Sequence, residues 1–286
     1  MEIRVENLEY VYNQGTPLEI GALHGITFTL SAGGFLGILG GTGSGKTTLV
    51  MNLNGLLLPT AGRVLVQGKE TESWGGDLRR KVGVVFQRPE RQLFEETVYE
   101  DISFVLRRFS DLDEDQIDDT VRKACELIKL DISEIADRNP LALSDGEKRK
   151  VAIAGVLVNE PEILVLDEPA VGLDPLSRVD LIAVLLEMRR SRDKSVVIVS
   201  HDMEPFMPLL DHLLVLDQGR AAAYGPPAEV CRELVRQPGL AELLPGLVLL
   251  VNDLRNSGAD ISENEFRASA VADRIADLLG CSGKDN

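Results

Sequence analysis

The run Gly40-Gly41-Thr42-Gly43-Ser44-Gly45-Lys46-Thr47 fits the phosphate-loop pattern at every fixed position. It lies between an apolar strand candidate, Phe35 to Leu39, and a stretch able to continue as helix through Thr48. That context requires a strand–loop–helix unit and implies nucleotide binding. Glycines without a β-carbon let successive backbone N–H groups close around phosphate oxygens. Lys46 supplies a point charge, the Thr47 hydroxyl is a ligand for Mg²⁺, and the helix that follows aims its positive end at the anion.

Further motifs downstream narrow the chemistry. Ile163-Leu164-Val165-Leu166-Asp167-Glu168 reads as a buried strand ending in two carboxylates, because an unbroken apolar run suits a parallel sheet covered on both faces. Asp167 is placed to orient Mg²⁺ or its waters, and Glu168 to polarise a water attacking a γ-phosphate. Leu143-Ser144-Asp145-Gly146-Glu147 opens a helical run from Lys148 to Val158, and a serine and a glycine at a helix N-terminus suit an anion. Gly172-Leu173-Asp174-Pro175 follows the carboxylate strand, and Ser200-His201-Asp202 ends the apolar strand Ser195 to Val199. Gln87 follows the apolar run Val82 to Phe86.

That order of phosphate loop, glutamine, Leu-Ser-x-Gly motif, Asp-Glu strand, Gly-Leu-Asp-Pro and histidine resembles the ATP-binding cassette ATPases over residues 1 to about 225. The resemblance implies an α/β fold of the P-loop NTPase type: a mostly parallel sheet, an N-terminal antiparallel β subdomain, a helical subdomain at about 88–158 and a C-terminal helical extension over 226–286. It also implies a head-to-tail dimer. ATP would be held between the loop Gly40 to Thr48 of one copy and Ser144 and Gly146 of the other, with Asp174 beside them and Tyr12 stacked on adenine. By the same resemblance Thr47, Gln87 and Asp167 hold Mg²⁺, Gln87 senses metal and water, Glu168 is the catalytic base and His201 contacts the γ-phosphate.

The stretch from Gln87 through Leu93, Phe94 and Val98 to Ile102 is similar to that of the energy-coupling factor ATPases, as are Gly15 to Glu19 and Lys150 to Leu157. That branch implies uptake of a vitamin or transition-metal ion. Its partners would be a homologous ATPase subunit, identical or paralogous, a transmembrane coupling protein and a substrate-capturing membrane protein. The chain would then be peripheral at the cytoplasmic face of the cell membrane. Leu93, Phe94 and Val98 are expected to line a groove for a partner helix, with Glu90, Glu95 and Glu96 meeting basic side chains, or to be core of the helical subdomain, which can hold alongside the groove. The chain departs from the usual Leu-Ser-Gly-Gly-Gln at Asp145 and Glu147. Asp145 is expected either to face the opposite subunit's γ-phosphate, where like charges repel, or to cap its own helix.

Composition bounds the alternatives. With 46 acidic against 30 basic residues and a net charge of -16, the surface repels nucleic acid, and no nucleic-acid partner is expected. Other importers, exporters, a soluble cassette ATPase and a non-hydrolysing regulatory module use the same core and stay open. Cys125, Cys231 and Cys281 are too widely spaced for a disulfide framework or a Cys-x-x-Cys site, which suits a reducing compartment. No signal peptide or spanning segment is expected. Beyond Gly225, Leu240 to Leu254 and Ser262 to Leu279 read as helices. The second opens on the capping-box pattern Ser262-Glu263-Asn264-Glu265, with Val271, Ile275, Leu278 and Leu279 on one face to dimerise or to pack on its own domain.

Overall fold

Ile163-Leu164-Val165-Leu166 and Val196-Val197-Ile198-Val199 have no polar face, so each must be covered on both sides. The chain meets this demand with a parallel sheet clad by helices. A computed structural model describes residues 1–88, 91–262 and 265–278.

In chain order, strands β1 (Ile3–Tyr12), β2 (Ile20–Leu30) and β3 (Phe35–Gly40) lead into α1 (Lys46–Leu53). Next come β4 (Ala61–Val66), β5 (Lys69–Glu70), a 3₁₀ turn, α2 (Leu78–Lys81) and β6 (Val82–Val85). The insert contains α3 (Val98–Phe109), α4 (Glu114–Leu127), α5 (Ile132–Ile135) and α6 (Asp145–Leu157). Alternation resumes with β7 (Ile163–Asp167), α7 (Pro175–Ser191), β8 (Ser195–Ser200), β9 (His212–Asp217) and β10 (Arg220–Gly225). The chain continues through α8 (Pro227–Leu234), α9 (Gly246–Asn256) and α10 (Ala268–Leu278).

The strands form a four-stranded antiparallel sheet, β2-β1-β4-β5, and a six-stranded sheet, β10-β9-β3-β8-β7-β6. The larger sheet is parallel except at its β9–β10 edge. Successive side chains of a strand face opposite sides, so each central strand feeds two cores. Leu164 and Leu166 pack with the helical insert, whereas Ile163 and Val165 pack with α1 and the antiparallel sheet. Register pairs Leu39 with Ser200 and Asp167 with Val199. The carboxyl ends of β3, β7 and β8 therefore lie side by side, where ligands of open α/β sheets collect.

Packing continues past residue 225: Val230, Cys231 and Leu234 of α8, then Leu244, and Val248 of α9 join the same core as α3 to α7. Pro245 splits the expected helix from Leu240, since a 3₁₀ turn at Ala241–Leu243 precedes α9. The last helix begins at Ala268, later than the Ser262 start expected from its capping-box pattern. Glu263, Asn264 and the stretch from Leu279 onward lie outside the described residues. Val271 and Ile275 pack against Val251, Leu247 and Leu254 of the same chain, the second of the two fates expected for that stripe. Among the described residues no helix is long and apolar enough to cross a membrane.

Candidate active site

β3 delivers Gly40 to the loop that opens α1. Gly43 and Gly45 turn with φ of 79° and 100°, and a β-carbon on Gly45 would stand 2.8 Å from the Ala22 carbonyl oxygen. Lys46 Nζ donates to the Gly40 and Gly41 carbonyls at 2.7 and 2.9 Å, which folds the ammonium over the loop. Burial lowers the lysine's pKa, opposed by the nearby charges of Glu168 and Asp167. Ser44 Oγ is buried without a hydrogen-bond partner, and no side chain caps the first turn of α1. Buried polar atoms are rarely orphaned, so this donor-rich loop fits an anion.

A cavity of about 480 Å³ beside the loop is lined by Gly43, Gly45, Lys46, Thr47 and Thr48 together with Tyr12 and Gln218. Tyr12 is fixed by a 3.0 Å hydrogen bond between its hydroxyl and that of Thr48, and by an edge contact with Tyr10. Thr42 and Thr47 are exposed, whereas Thr48 is buried.

At the end of β7 both carboxylates are buried. Burial, joined by the negative charge of Glu168, pushes Asp167 up to about 6 against the pull of Lys46. Glu168 leaves the strand with a left-handed φ of 51°, its N–H donating to Val199 at 2.7 Å. This turn delivers its carboxylate to the end of β8. There it accepts from Ser200 Oγ at 2.9 Å and the His201 backbone N–H at 3.0 Å, and meets His201 Nδ1 at 2.8 Å.

Ser144, Gly146, Asp174 and Gln87 gather elsewhere and do not line the cavity around Lys46. Ser144 caps α6 in a reciprocal capping box: its Oγ accepts from the Glu147 N–H at 3.3 Å, and its own N–H donates to the Glu147 carboxylate at 2.8 Å. Ser144 Oγ also donates to that carboxylate, and these bonds hold Glu147 below its usual pKa. Asp145 therefore does not cap the helix, contrary to one of its two expected roles; it is 83% exposed, with Lys148 at 3.7 Å. Asp174 caps α7 by accepting from the N–H groups of Leu176 and Ser177. Its other oxygen holds Ser177 Oγ at 2.5 Å, and a β-carbon on Gly146 would meet that hydroxyl at 2.7 Å. Gln87 and Asp145 share a separate cavity of about 370 Å³ with Arg88, Lys148, Arg149 and Val171 to Leu173.

The family model for ABC transporters matches residues 23–171. Energy-coupling factor transporter ATP-binding proteins EcfA2 of Acetivibrio thermocellus and Clostridium perfringens are 42% and 38% identical to the chain, each covering 98% of it and 99% of the relative. This chain belongs to the energy-coupling factor transporter ATP-binding proteins. It is an ABC ATPase and binds ATP. Among solved structures, cbiO1 of Clostridium perfringens, described as part of the ABC transporter complex cbiONQ, matches with a TM-score of 0.71 and 37% identity over 84% of this chain and 97% of that one. The cassette MJ0796, in a dimeric post-hydrolysis state bound to ADP and Pi, matches with a TM-score of 0.71 and 25% identity over 79% of this chain and 98% of that one.

In this energy-coupling factor ATPase the Thr47 hydroxyl and the Asp167 carboxylate are oxygen donors of the kind that suits Mg²⁺, a hard cation, whereas Gln87 lies in the separate cavity. Asp167 beside Glu168 is a site of excess negative charge that a dication would relieve. No group of His, Cys, Asp or Glu among the described residues forms a metal cluster by itself.

The motifs did not assign Ser200, which donates to Glu168, or Arg149, whose guanidinium donates to the Glu168, Pro169 and Gln87 carbonyls. The available signal for Arg149 was a charge at the head of the apolar run Val151 to Ala154, where it would be buried. Of the three apolar residues expected at a partner groove, the structure brings two together. Leu93 and Phe94 line a groove of about 320 Å³ with Phe104, Val105 and Leu56, and Phe94 is 64% exposed. Val98 is instead fully buried core, because α3 turns it toward Ile102 and Leu106. Glu90 lies outside the described residues.

Proposed function

We propose that this chain hydrolyses ATP as one half of a two-subunit motor, at the cytoplasmic face of a membrane importer for a vitamin or transition-metal ion. The observation carrying this reading is the buried Glu168 carboxylate, held by Ser200 and His201 at the strand end next to Asp167 and Lys46. In this reading the loop Gly40 to Thr47 and Lys46 bind the phosphates, Tyr12 stacks on the base, and His201 lies beside the γ-phosphate. Thr47 and Asp167 would hold Mg²⁺, with Gln87 brought in from its separate cavity, and the ion would supply charge neutralisation at the transferred phosphoryl. Glu168 takes a proton from the attacking water, and its bonds to Ser200 and His201 keep the carboxylate oriented.

Ser144, Gly146 and Asp174 belong to a second half-site that serves the nucleotide of a homologous partner. The dimeric ADP-bound state described for MJ0796 supports this division, as does the place of these three residues outside the lining of the cavity at Lys46. ATP would favour the closed pair and hydrolysis the open one, so that chemistry sets a population. The groove at Leu93, Phe94 and Phe104 would carry this motion to a helix of a transmembrane coupling protein, which in turn holds a substrate-capturing protein. The decisive experiment is Glu168→Gln in the assembled complex: hydrolysis should fall by about 10²-fold or more while ATP stays bound. Undiminished steady-state turnover would remove Glu168 from this role.

A further inference from the structure

Arg149 is 7% exposed, on the second turn of α6, five residues from the Ser144 cap. Its Nη1 donates to the Glu168 carbonyl at 3.0 Å and to the Pro169 carbonyl, and its Nη2 to the Gln87 carbonyl at 3.3 Å. One planar guanidinium thus joins three segments. They are the helix bearing the Leu-Ser-x-Gly face, the exit of the catalytic strand, and the loop where the chain leaves the core sheet for the helical insert.

The surroundings make this a connection between separate elements as well as a packing contact. Arg149 lies between the cavity shared by Gln87, Asp145 and Lys148 and an apolar slot under α6 lined by Ile153, Leu164 and Leu173. Close packing gives way to the polar cavity on one side of the arginine, and there its directional hydrogen bonds tie α6 to the end of β7. Glu168 is sensitive to such a contact. Its left-handed backbone is held from one side by the Val199 carbonyl and from the other by Arg149, and a shift of the carbonyl turns the carboxylate away from Ser200 and His201.

We infer that Arg149 is a positioning residue that makes hydrolysis depend on the orientation of the helical insert, by holding the Glu168 backbone in register with α6 and the Gln87 loop. This rests on the reading of Glu168 as the base. When α6 swings to present Ser144 and Gly146 to a partner, the guanidinium carries that swing to the carbonyl of Glu168. Turnover is then permitted only in the closed arrangement.

The test compares Arg149→Lys, Arg149→Gln and Glu168→Gln in the complete transporter, reading kcat, KM for ATP, thermal midpoint and cargo moved per ATP split. A lysine keeps the charge but places a single nitrogen where a fork spanned two loops. Both arginine variants should lower kcat at least tenfold with KM within twofold, and lower the cargo-to-ATP ratio, with Arg149→Lys folding at the wild-type midpoint. A purely structural arginine would lower activity only in proportion to the folded fraction and leave the cargo-to-ATP ratio unchanged, and that result overturns the inference. If Glu168→Gln stops hydrolysis while Arg149→Lys keeps wild-type kcat, the positioning role alone fails. If Glu168→Gln still turns over, the assignment of the base fails instead.

Discussion

At the scale of single residues the site is built from groups held in unfavourable states. Asp167 is the clearest case: with its carboxyl at about 6 against an ordinary 3.8, the folded chain without nucleotide holds a proton that the unfolded chain releases. As pH rises through that window, ionisation costs the folded state about 1–3 kcal/mol, and the cost is complete above about pH 7. Asp167→Asn removes it. In EDTA and without nucleotide the variant should be more stable than wild type by about that amount at pH 8, and nearly equal to it at pH 4. Urea titrations at both pH values check this; an equal gain at both would mean that packing, not charge, explains it. The same variant should lose Mg²⁺-dependent ATP hydrolysis. The phosphate loop and Asp167-Glu168 were legible in sequence because their geometry is local, set by neighbouring residues. Arg149 and Ser200 were not, because their bonds to the Glu168 region span 19 and 32 residues and exist only once β7, β8 and α6 are assembled.

At the scale of elements, helix ends decide what the site presents. Ser144 and Glu147 cap α6 reciprocally, and Asp174 caps α7, so two helix N-termini meet at Gly146 and Ser177. The helical run expected from Lys148 begins three residues earlier, at Asp145, because Ser144 and Glu147 close a capping box. The capping-box pattern at Ser262 did not start α10, which begins at Ala268. Which of its two expected places Val98 takes was not legible, because an apolar stretch does not reveal which of its residues the turn of α3 directs inward. Gly146 is required by packing before any ligand enters. Gly146→Ala should destabilise the chain by about 1–3 kcal/mol, because the new methyl displaces a hydroxyl tied to Asp174. Adding Ser177→Ala should recover most of that stability in chemical denaturation. If the double variant still lacks ATPase activity in the assembled complex, Gly146 serves the partner's nucleotide as well as the fold.

At the scale of the molecule, the chain is a cassette whose first extension helices are part of its core. Removing residues after Gly258 takes away Ile261, Val271 and Ile275 but spares Leu234, Leu244 and Val248. The truncated chain should fold and bind ATP, with a thermal midpoint lower by about 3–10 °C and an unchanged oligomeric state in light scattering. Truncation before Pro227 should prevent folding. In the proposed pair of cassettes, nucleotide and the faces at Ser144 and Asp174 would hold the two copies together, and charge on those faces would set how well each site closes. Asp145 is almost free in water, and Lys148 at 3.7 Å offsets only part of its charge. In a closed pair it would stand near the partner's γ-phosphate, where water is partly excluded and like charges repel by about 1 kcal/mol. We propose that this face serves a non-identical partner and closes the weaker of two sites. Asp145→Gly should then tighten ATP at the partner's site by about 3- to 10-fold and raise ATP turnover of the complex, with no effect on the nucleotide held by Lys46 of the same chain. Site-specific crosslinking of an azido-ATP to each subunit separates the two affinities. Equal affinities before and after the change would assign Asp145 to solvent and leave both sites alike.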